Sequence, residues 1–141
     1  MSPAESYKRW RTLNIDSLFA DAVMDDAAQV VDANTAQLWE GRDASGSMLP
    51  LPYSPMTIAI KSAKGQPTDR ITLKDTGEFH SGFFAQKVGN EVQLSSKDSK
   101  TPKLISEWGK DIFGLDAKSR EDLKPQFTHN ILKRIRNHVM L

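Results

Sequence analysis

The residues best suited to chemistry in this chain of 141 residues lie in one short stretch that contains Asp75, Glu78 and His80. A histidine near carboxylates is the pattern of a general base. A working dyad or triad would also need a nucleophile or a bound metal. Ser81 is adjacent to His80, but neighbouring side chains of an extended chain point apart and do not form a relay. The stretch therefore predicts a capped structural turn rather than an active site.

Other signatures of catalysis and cofactor binding are missing from the sequence. It has no cysteine, which excludes disulfides, thiol catalysis and thiolate metal sites. It has no phosphate-binding loop, no G-x-G-x-x-G pattern and no H-E-x-x-H motif. His129 and His138 lie on opposite sides of the same predicted helix, so they cannot share a metal. We predict no catalytic residues, no cofactor, no metal site and no enzyme.

The loop from Gly41 to Tyr53 combines polar residues with glycine and proline. Asp43, Ser45 and Ser47 are spaced like calcium ligands, but the loop lacks the further acidic residues and the closing glutamate of an EF-hand. Aspartate, serine and glycine together are typical of a turn. We predict a turn here.

Three phenylalanines, Phe79, Phe83 and Phe84, fall within six positions. Neighbours on a strand face opposite sides, so Phe83 and Phe84 cannot both enter one core layer. The second ring either meets another layer of the same chain or anchors an oligomer interface. The sequence leaves both alternatives open.

Charge is distributed unevenly along a chain whose net charge is only +1. Residues 1–50 have four basic and eight acidic residues, whereas from Lys118 onward there are six basic and two acidic residues. This polarity suits head-to-tail contacts between copies, or proximity of the basic end to nucleic acid. Solvated helix faces and a cationic last turn that complements the helix dipole are the simpler interpretation. His129, Lys133 and Arg136 form a basic helix face that could contact phosphates.

The N-terminal half predicts two helices. Apolar residues recur at helical spacing from Ile15 to Leu38, with Asn14 as the N-cap and Gly41 as the stop. Such a helix of some 25 residues would be ~38 Å long, so we expect it to project or bend. Ser54 and Pro55 are a typical helix start, which favours a short helix to about Ala63 over a strand.

The C-terminal half predicts a small sheet. Ile71–Leu73 is expected to be a short strand, followed by a turn at Gly77. Phe83–Val88 and Glu91–Leu94 are expected to form a hairpin joined at Gly89 and Asn90.

Helical segments follow the hairpin. Pro102 to Trp108 predicts a short helix stopped at Gly109, and Ile112–Leu115 is a compact apolar segment. Asp116 or Ser119 is expected to cap a final helix. That helix has an apolar stripe at i+4 steps that should cover the sheet: Leu123, Phe127, Ile131, Ile135 and Val139.

The order of elements predicts an α+β fold: a long N-terminal helix, a small antiparallel β-sheet with a hairpin, and a C-terminal helix packed on it. The length supports a single domain, residues 1–141, with a helical N-terminal region and loop at 1–53 and an α+β core at 54–141. No apolar run approaches the ~18 residues of a membrane span, and the N-terminus lacks the apolar region of a secretory signal. We therefore expect no membrane contact, and either a cytosolic protein or part of a particle that is assembled in a cytosol.

Several motifs in the second half resemble a known class of proteins. These are L-x-D-T-G-x-F-x-x-G-F from Leu73 to Phe83, V-x-N-x-V from Val88 to Val92, and E-W-G from Glu107 to Gly109. Together with the apolar segment and the last helix, the arrangement resembles tailed-phage virion morphogenesis proteins, of the tail-completion and head–tail connector type. The segment KTPKLISEWGKDIFGL is also similar to proteins of phages and prophages of Bacteroidetes-type hosts.

The resemblance implies a non-enzymatic structural protein that forms a ring, a hexamer or a twelvefold ring, at the neck or tail end of the virion. Its expected partners are other copies of itself and neighbouring neck or tail proteins, with possible non-specific proximity to DNA. Two alternatives belong to other classes: a small nucleic-acid-binding protein that uses the basic C-terminal helix, and an enzyme centred on His80.

Overall fold

A computed structural model describes residues 2–5, 8, 13–50 and 53–140 of the chain. The first pair of helices is α1, Ile15–Met24, and α2, Ala27–Trp39. Asn14 is the N-cap of α1, as predicted, because its side chain accepts a hydrogen bond from the Ser17 N–H at 3.1 Å. Gly41 follows the end of α2 with φ +86°, a conformation that favours glycine and ends the helix as predicted.

The predicted single N-terminal helix is interrupted at Asp25 and Asp26, so that prediction is wrong in its length. Aspartate is a weak former of helix interiors because its short side chain competes for hydrogen bonds. Here both carboxylates bind side chains of the C-terminal helix, Asp25 to Arg134 and Asp26 to Gln126. The interruption therefore serves a tertiary contact.

The next helix, α3, spans Pro55–Ala63, which confirms the helical alternative. The Ser54 hydroxyl accepts a hydrogen bond from the Thr57 N–H at 3.2 Å, and proline occupies the first turn. In the preceding loop, Asp43 Oδ1 accepts from the backbone N–H of Ser45, which confirms the predicted turn. Leu51 and Pro52 of that loop lie outside the described residues.

Ile71–Leu73 is not a strand, contrary to prediction. Leu73 has φ +56°, which a strand cannot contain. The backbone of Thr72 is satisfied by side chains instead of a ladder: its N–H donates to the Tyr53 hydroxyl, and its carbonyl lies 2.8 Å from His80 Nε2. In this segment, hydrogen bonds to the partly buried side chains of Tyr53 and His80 take the place of strand pairing.

A one-turn helix, α4, Glu78–Ser81, leads into the predicted hairpin. Strand β1 spans Phe83–Val88 and strand β2 spans Glu91–Ser96, antiparallel. The register pairs Phe83 with Ser96 and Val88 with Glu91, and Gly89 at the turn has φ +61°. The hairpin is confirmed, with its second strand two residues longer than predicted.

Helix α5 spans Thr101–Trp108 and stops at Gly109, as predicted. A 3-10 turn, Lys110–Ile112, connects it to helix α6, Ala117–Met140. Asp116 caps α6, since its carboxylate accepts from the Ser119 N–H at 2.8 Å. Of the two predicted caps, Asp116 is the one used.

The predicted α+β class is confirmed: a two-stranded antiparallel sheet is combined with helices, and a long C-terminal helix packs on the remainder of the domain. The main contacts of α6 are with α1 and, to a lesser extent, α2, while the sheet contacts both of those helices. The apolar stripe of α6 thus faces the N-terminal helices rather than mainly the sheet.

The core lies between α2, the segment before α4, the hairpin and the 3-10 turn. Its buried members come from six separate parts of the chain: Leu38, Leu49, Ile71, Phe79, Phe83 and Ile112. Two buried amides fix the turn that follows α5. Asn34 donates to the Ile112 carbonyl at 3.1 Å, and Gln37 accepts from the Asp116 N–H at 2.8 Å. These bonds satisfy backbone groups that would otherwise be buried without partners.

Candidate functional site

The histidine singled out in the sequence does not meet its expected carboxylates. His80 Nε2 binds the Thr72 carbonyl, so the ring is the Nε2–H tautomer. Asp75 instead binds Lys64 Nζ at 2.6 Å, and the Ser81 hydroxyl donates to the Glu78 carbonyl at 3.2 Å. The structure gives each of these groups a separate partner and forms no relay among them.

Burial lowers the pKa of His80, and this effect outweighs the hydrogen bond to Thr72, which raises it. The nearby ammonium groups of Lys74 and Lys61 lower it further. His80 is therefore neutral near pH 7, and its hydrogen bond to Thr72 connects α4 to the segment before it.

Gly77 provides the turn at which α4 begins. It has φ +94°, in the left-handed region, and stands at the N-cap position. The Thr76 hydroxyl accepts from the Glu78 N–H at 3.4 Å. This confirms the predicted turn at Gly77 and explains why the D-T-G sequence occurs there.

Two of the three clustered phenylalanines, Phe79 and Phe83, pack inside the chain. Phe79 and Phe83 are buried with ring centroids 5.0 Å apart in an edge-to-face arrangement, and Phe113 packs 5.1 Å from Phe83. Phe84 is half-buried, and Lys97 Nζ lies 5.7 Å from the centre of its ring. Packing within the chain is confirmed for Phe83, while an interface role for Phe84 stays a prediction.

Lys133, one member of the predicted basic face of α6, and its neighbour Arg134 lie near carboxylates at and after the end of α1. Arg134 binds Asp25, with Nε 2.8 Å from the carboxylate, and this hydrogen bond lowers the pKa of Asp25. Lys133 lines a groove shared with Asp21 and Asp26. These carboxylates reduce the positive potential around Lys133. Contact of the basic face with phosphates stays a prediction.

Helix α3 turns large apolar side chains toward solvent. Its outer face, defined as Met56, Ala59, Ile60 and Ala63, is exposed along its whole length. At 100° per residue these four positions lie within one arc of the helix. Met56 is 74% exposed and Ile60 is 48% exposed. Ile58 is 40% exposed, but it lies on a different side of the helix and is not part of this face.

The inward side of α3 is correspondingly polar. Lys61 is only 8% exposed, and its Nζ donates to the Lys74 carbonyl at 2.7 Å. A surface helix normally turns its apolar residues to the core and its lysines to water. The reversed arrangement of α3 makes its outer face a candidate for contact with another protein.

The spacing of Met56 and Ile60 in the sequence predicted a helix, but it did not predict that these two side chains would be exposed. The signal that could have located the outer face is Lys61, which falls on the same side as Tyr53 and Thr57. Sequence periodicity does not say which side of a nine-residue helix faces the core.

Among the described residues, no group of three histidine, aspartate or glutamate side chains could hold a metal ion. None of the described helices is both long and apolar enough to cross a membrane.

Comparison of this chain with protein-family models, with curated proteins and with solved structures found no match.

Proposed function

We propose that the chain is a non-enzymatic structural protein of a tailed-phage virion. It forms an oligomeric ring at the neck or tail end, for tail completion or head–tail joining, and is assembled in the host cytoplasm. The assignment to a phage virion comes from the resemblance of Leu73–Phe83, and of the segments after it, to tail-completion and head–tail connector proteins. The structural observation that supports an assembly role is the exposed apolar outer face of α3.

The physical argument rests on the free energy of covering that face. Complete burial of a methionine or isoleucine side chain contributes ~1.5–3 kcal/mol. Met56 is 74% exposed and Ile60 is 48% exposed in the single chain, so most of that free energy for Met56 and about half of it for Ile60 is still to be gained. A contact repeated on every copy would supply it at each interface of a ring. We therefore assign the outer face of α3 to the contact between copies.

Light scattering on the purified protein tests this function. We expect a closed oligomer at about tens of micromolar, where a contact of micromolar affinity is occupied. Ile60→Glu should dissociate it, because a carboxylate in an apolar interface loses its hydration. The matched control is Val88→Glu, since Val88 is 46% exposed at the end of β1 and lies outside the face.

A monomeric wild-type protein would contradict the ring. Dissociation by both variants, or by Val88→Glu alone, would contradict the assignment of the contact to α3. Electron micrographs of the same sample would give the number of subunits.

A further inference from the structure

A cavity of about 390 Å³ lies on the inner side of α3, between that helix, the segment 71–77 and α5. Its apolar lining combines aromatic and aliphatic side chains: Tyr53, Ile71, Leu73, Phe79, Leu104 and Trp108. The volume falls in the ~300–1,000 Å³ range of small-molecule sites, which are mostly apolar with few polar groups. The cavity therefore has the size and lining of a ligand site.

The charged residues of the cavity are mainly basic. Four lysines line it, Lys61, Lys74, Lys100 and Lys103, against a single carboxylate, Asp75. That carboxylate is already bound by Lys64 at 2.6 Å, outside the lining, and lies 3.7 Å from Lys100. The lining thus has an excess of positive charge over an apolar floor, which attracts anions.

Lys61 is the buried member of the four lysines. Its ammonium group has three N–H donors. Two of them are used, by the Lys74 carbonyl at 2.7 Å and by Gln66 Oε1 at 3.4 Å, and the Tyr53 ring centre lies 5.1 Å away. Burial lowers the pKa of Lys61, which means that its charge is poorly solvated. An anion in the cavity would compensate this charge.

The backbone beside the cavity is strained. Leu73, which lines it, has φ +56° and is the only non-glycine residue with a positive φ in the described part of the chain. Such a conformation is unfavourable for a residue that carries a Cβ, and it tends to occur at ligand sites. The strain shapes the cavity wall between Ile71 and Lys74.

We propose that this cavity binds a small amphipathic anion, an aromatic or short aliphatic body that carries one carboxylate or sulfonate group. The body packs against Phe79, Leu104 and Trp108, and the anionic group lies at the lysines. This site is on the opposite side of α3 from the outer face, so it is independent of the proposed ring contact.

Two fluorescent probes that share one ring system test the charge requirement. These are 1-anilinonaphthalene-8-sulfonate and its uncharged counterpart N-phenyl-1-naphthylamine. We expect the sulfonate to bind at one saturable site and about tenfold more tightly than the neutral probe, because only the sulfonate accepts charge-assisted hydrogen bonds from the lysines. Equal affinities for the two probes would overturn the proposal.

Variants locate the site. Lys61→Met should weaken sulfonate binding about tenfold and leave the neutral probe unchanged, because it removes the buried charge. Leu104→Trp should weaken binding of both probes, because the larger ring occupies part of the cavity. The control Lys124→Met, at an exposed lysine of α6, should bind both as the wild type does.

Thermal unfolding is used to check that each variant is folded. If Lys61→Met does not fold, probe binding by Leu104→Trp tests the location of the site. Unchanged sulfonate binding by Leu104→Trp would overturn the proposal. Met56→Glu should retain sulfonate binding, and its loss there would place the probe on the outer face of α3 instead. A monomeric protein that binds the sulfonate in this way would contradict the ring and leave the cavity proposal standing.

Discussion

His80 contributes to stability as a neutral, partly buried ring that bridges two segments. Its pKa is lowered from its usual value of 6.5, first by burial and then by Lys74 and Lys61. In the unfolded chain the imidazole regains its usual pKa. Between the lowered value and 6.5 the unfolded state therefore binds more protons than the folded state, and acid favours unfolding.

We expect the free energy of unfolding to fall as the pH is lowered from about 7.5 through about 6.5, and to level off below the folded-state pKa. The stabilising contribution is complete above the unfolded pKa. His80→Gln should reduce this loss in chemical denaturation measured across the pH range. His129→Gln, at an exposed position of α6, is the control and should keep it. The same pH dependence in wild type and His80→Gln would contradict the assignment to His80.

Gly77 gives a prediction about backbone conformation. Gly77→Val should lower the free energy of unfolding by about 1–3 kcal/mol, since a β-branched residue is strained at positive φ. Crowding would contribute little, because a Cβ at this position would meet only Lys74 Cε, at 3.6 Å. Asparagine tolerates this region better, so Gly77→Asn should lose less. Equal losses for valine and asparagine in thermal unfolding would refute the backbone explanation.

Local chemistry explains which residues were predictable from the sequence. Asn14, Ser54 and Gly77 act on backbone groups within three residues of themselves, so their roles follow from the local sequence. Asn34 and Lys61 do not, because their partners, Ile112 and Lys74, are distant in sequence. A buried polar side chain can be recognised only once its partner is known.

At the level of elements, α6 is held to the N-terminal helices by both apolar and polar contacts. Asn130 donates to the Ala22 carbonyl at 3.1 Å and also binds Asp26. Val139 is buried, and the rest of the stripe, Phe127 included, is half-buried. Half-burial of the stripe means that each residue contributes less than a core residue would.

Phe127→Ala should therefore lower the free energy of unfolding by about 2–3 kcal/mol, less than the ~3–5 kcal/mol for a fully buried phenylalanine. Leu132 is 60% exposed on the same helix, and Leu132→Ala should change stability by less than about 0.5 kcal/mol. Chemical denaturation of both variants measures the difference. A harmless Phe127→Ala would mean that the packing side of α6 has been assigned wrongly.

The errors at the level of elements also come from distant partners. The N-terminal helix is divided where Asp25 and Asp26 bind residues about a hundred positions away. The expected strand at Ile71–Leu73 is replaced by backbone bonds to Tyr53 and His80. Apolar spacing predicts a helix or strand but carries no information on such competing contacts. The hairpin was predicted because its turn and its alternation are both local.

For the whole molecule, the opposite charges of the two halves are partly neutralised within one chain. Asp21 binds Lys87 at 2.9 Å, and Asp25 binds Arg134. Burial would raise the pKa of Asp116, but hydrogen bonds from Ser119 and Arg42 outweigh it and lower the pKa. These charges are satisfied inside the chain, so they are less available to draw copies together head to tail.

The proposed ring should consequently depend on apolar contact more than on charge. We expect its mass, measured by light scattering, to be unchanged or larger in ~1 M sodium chloride, where the Debye length is ~3 Å and exposed ion pairs are screened. Ile60→Glu should remain dissociated at every salt concentration, because its defect is the cost of burying a carboxylate. Dissociation of the wild-type ring at high salt would instead indicate a charge-driven contact between the acidic and basic halves. In that case the interface would lie on the surfaces of α1 and α6, and the outer face of α3 would lose its assigned role.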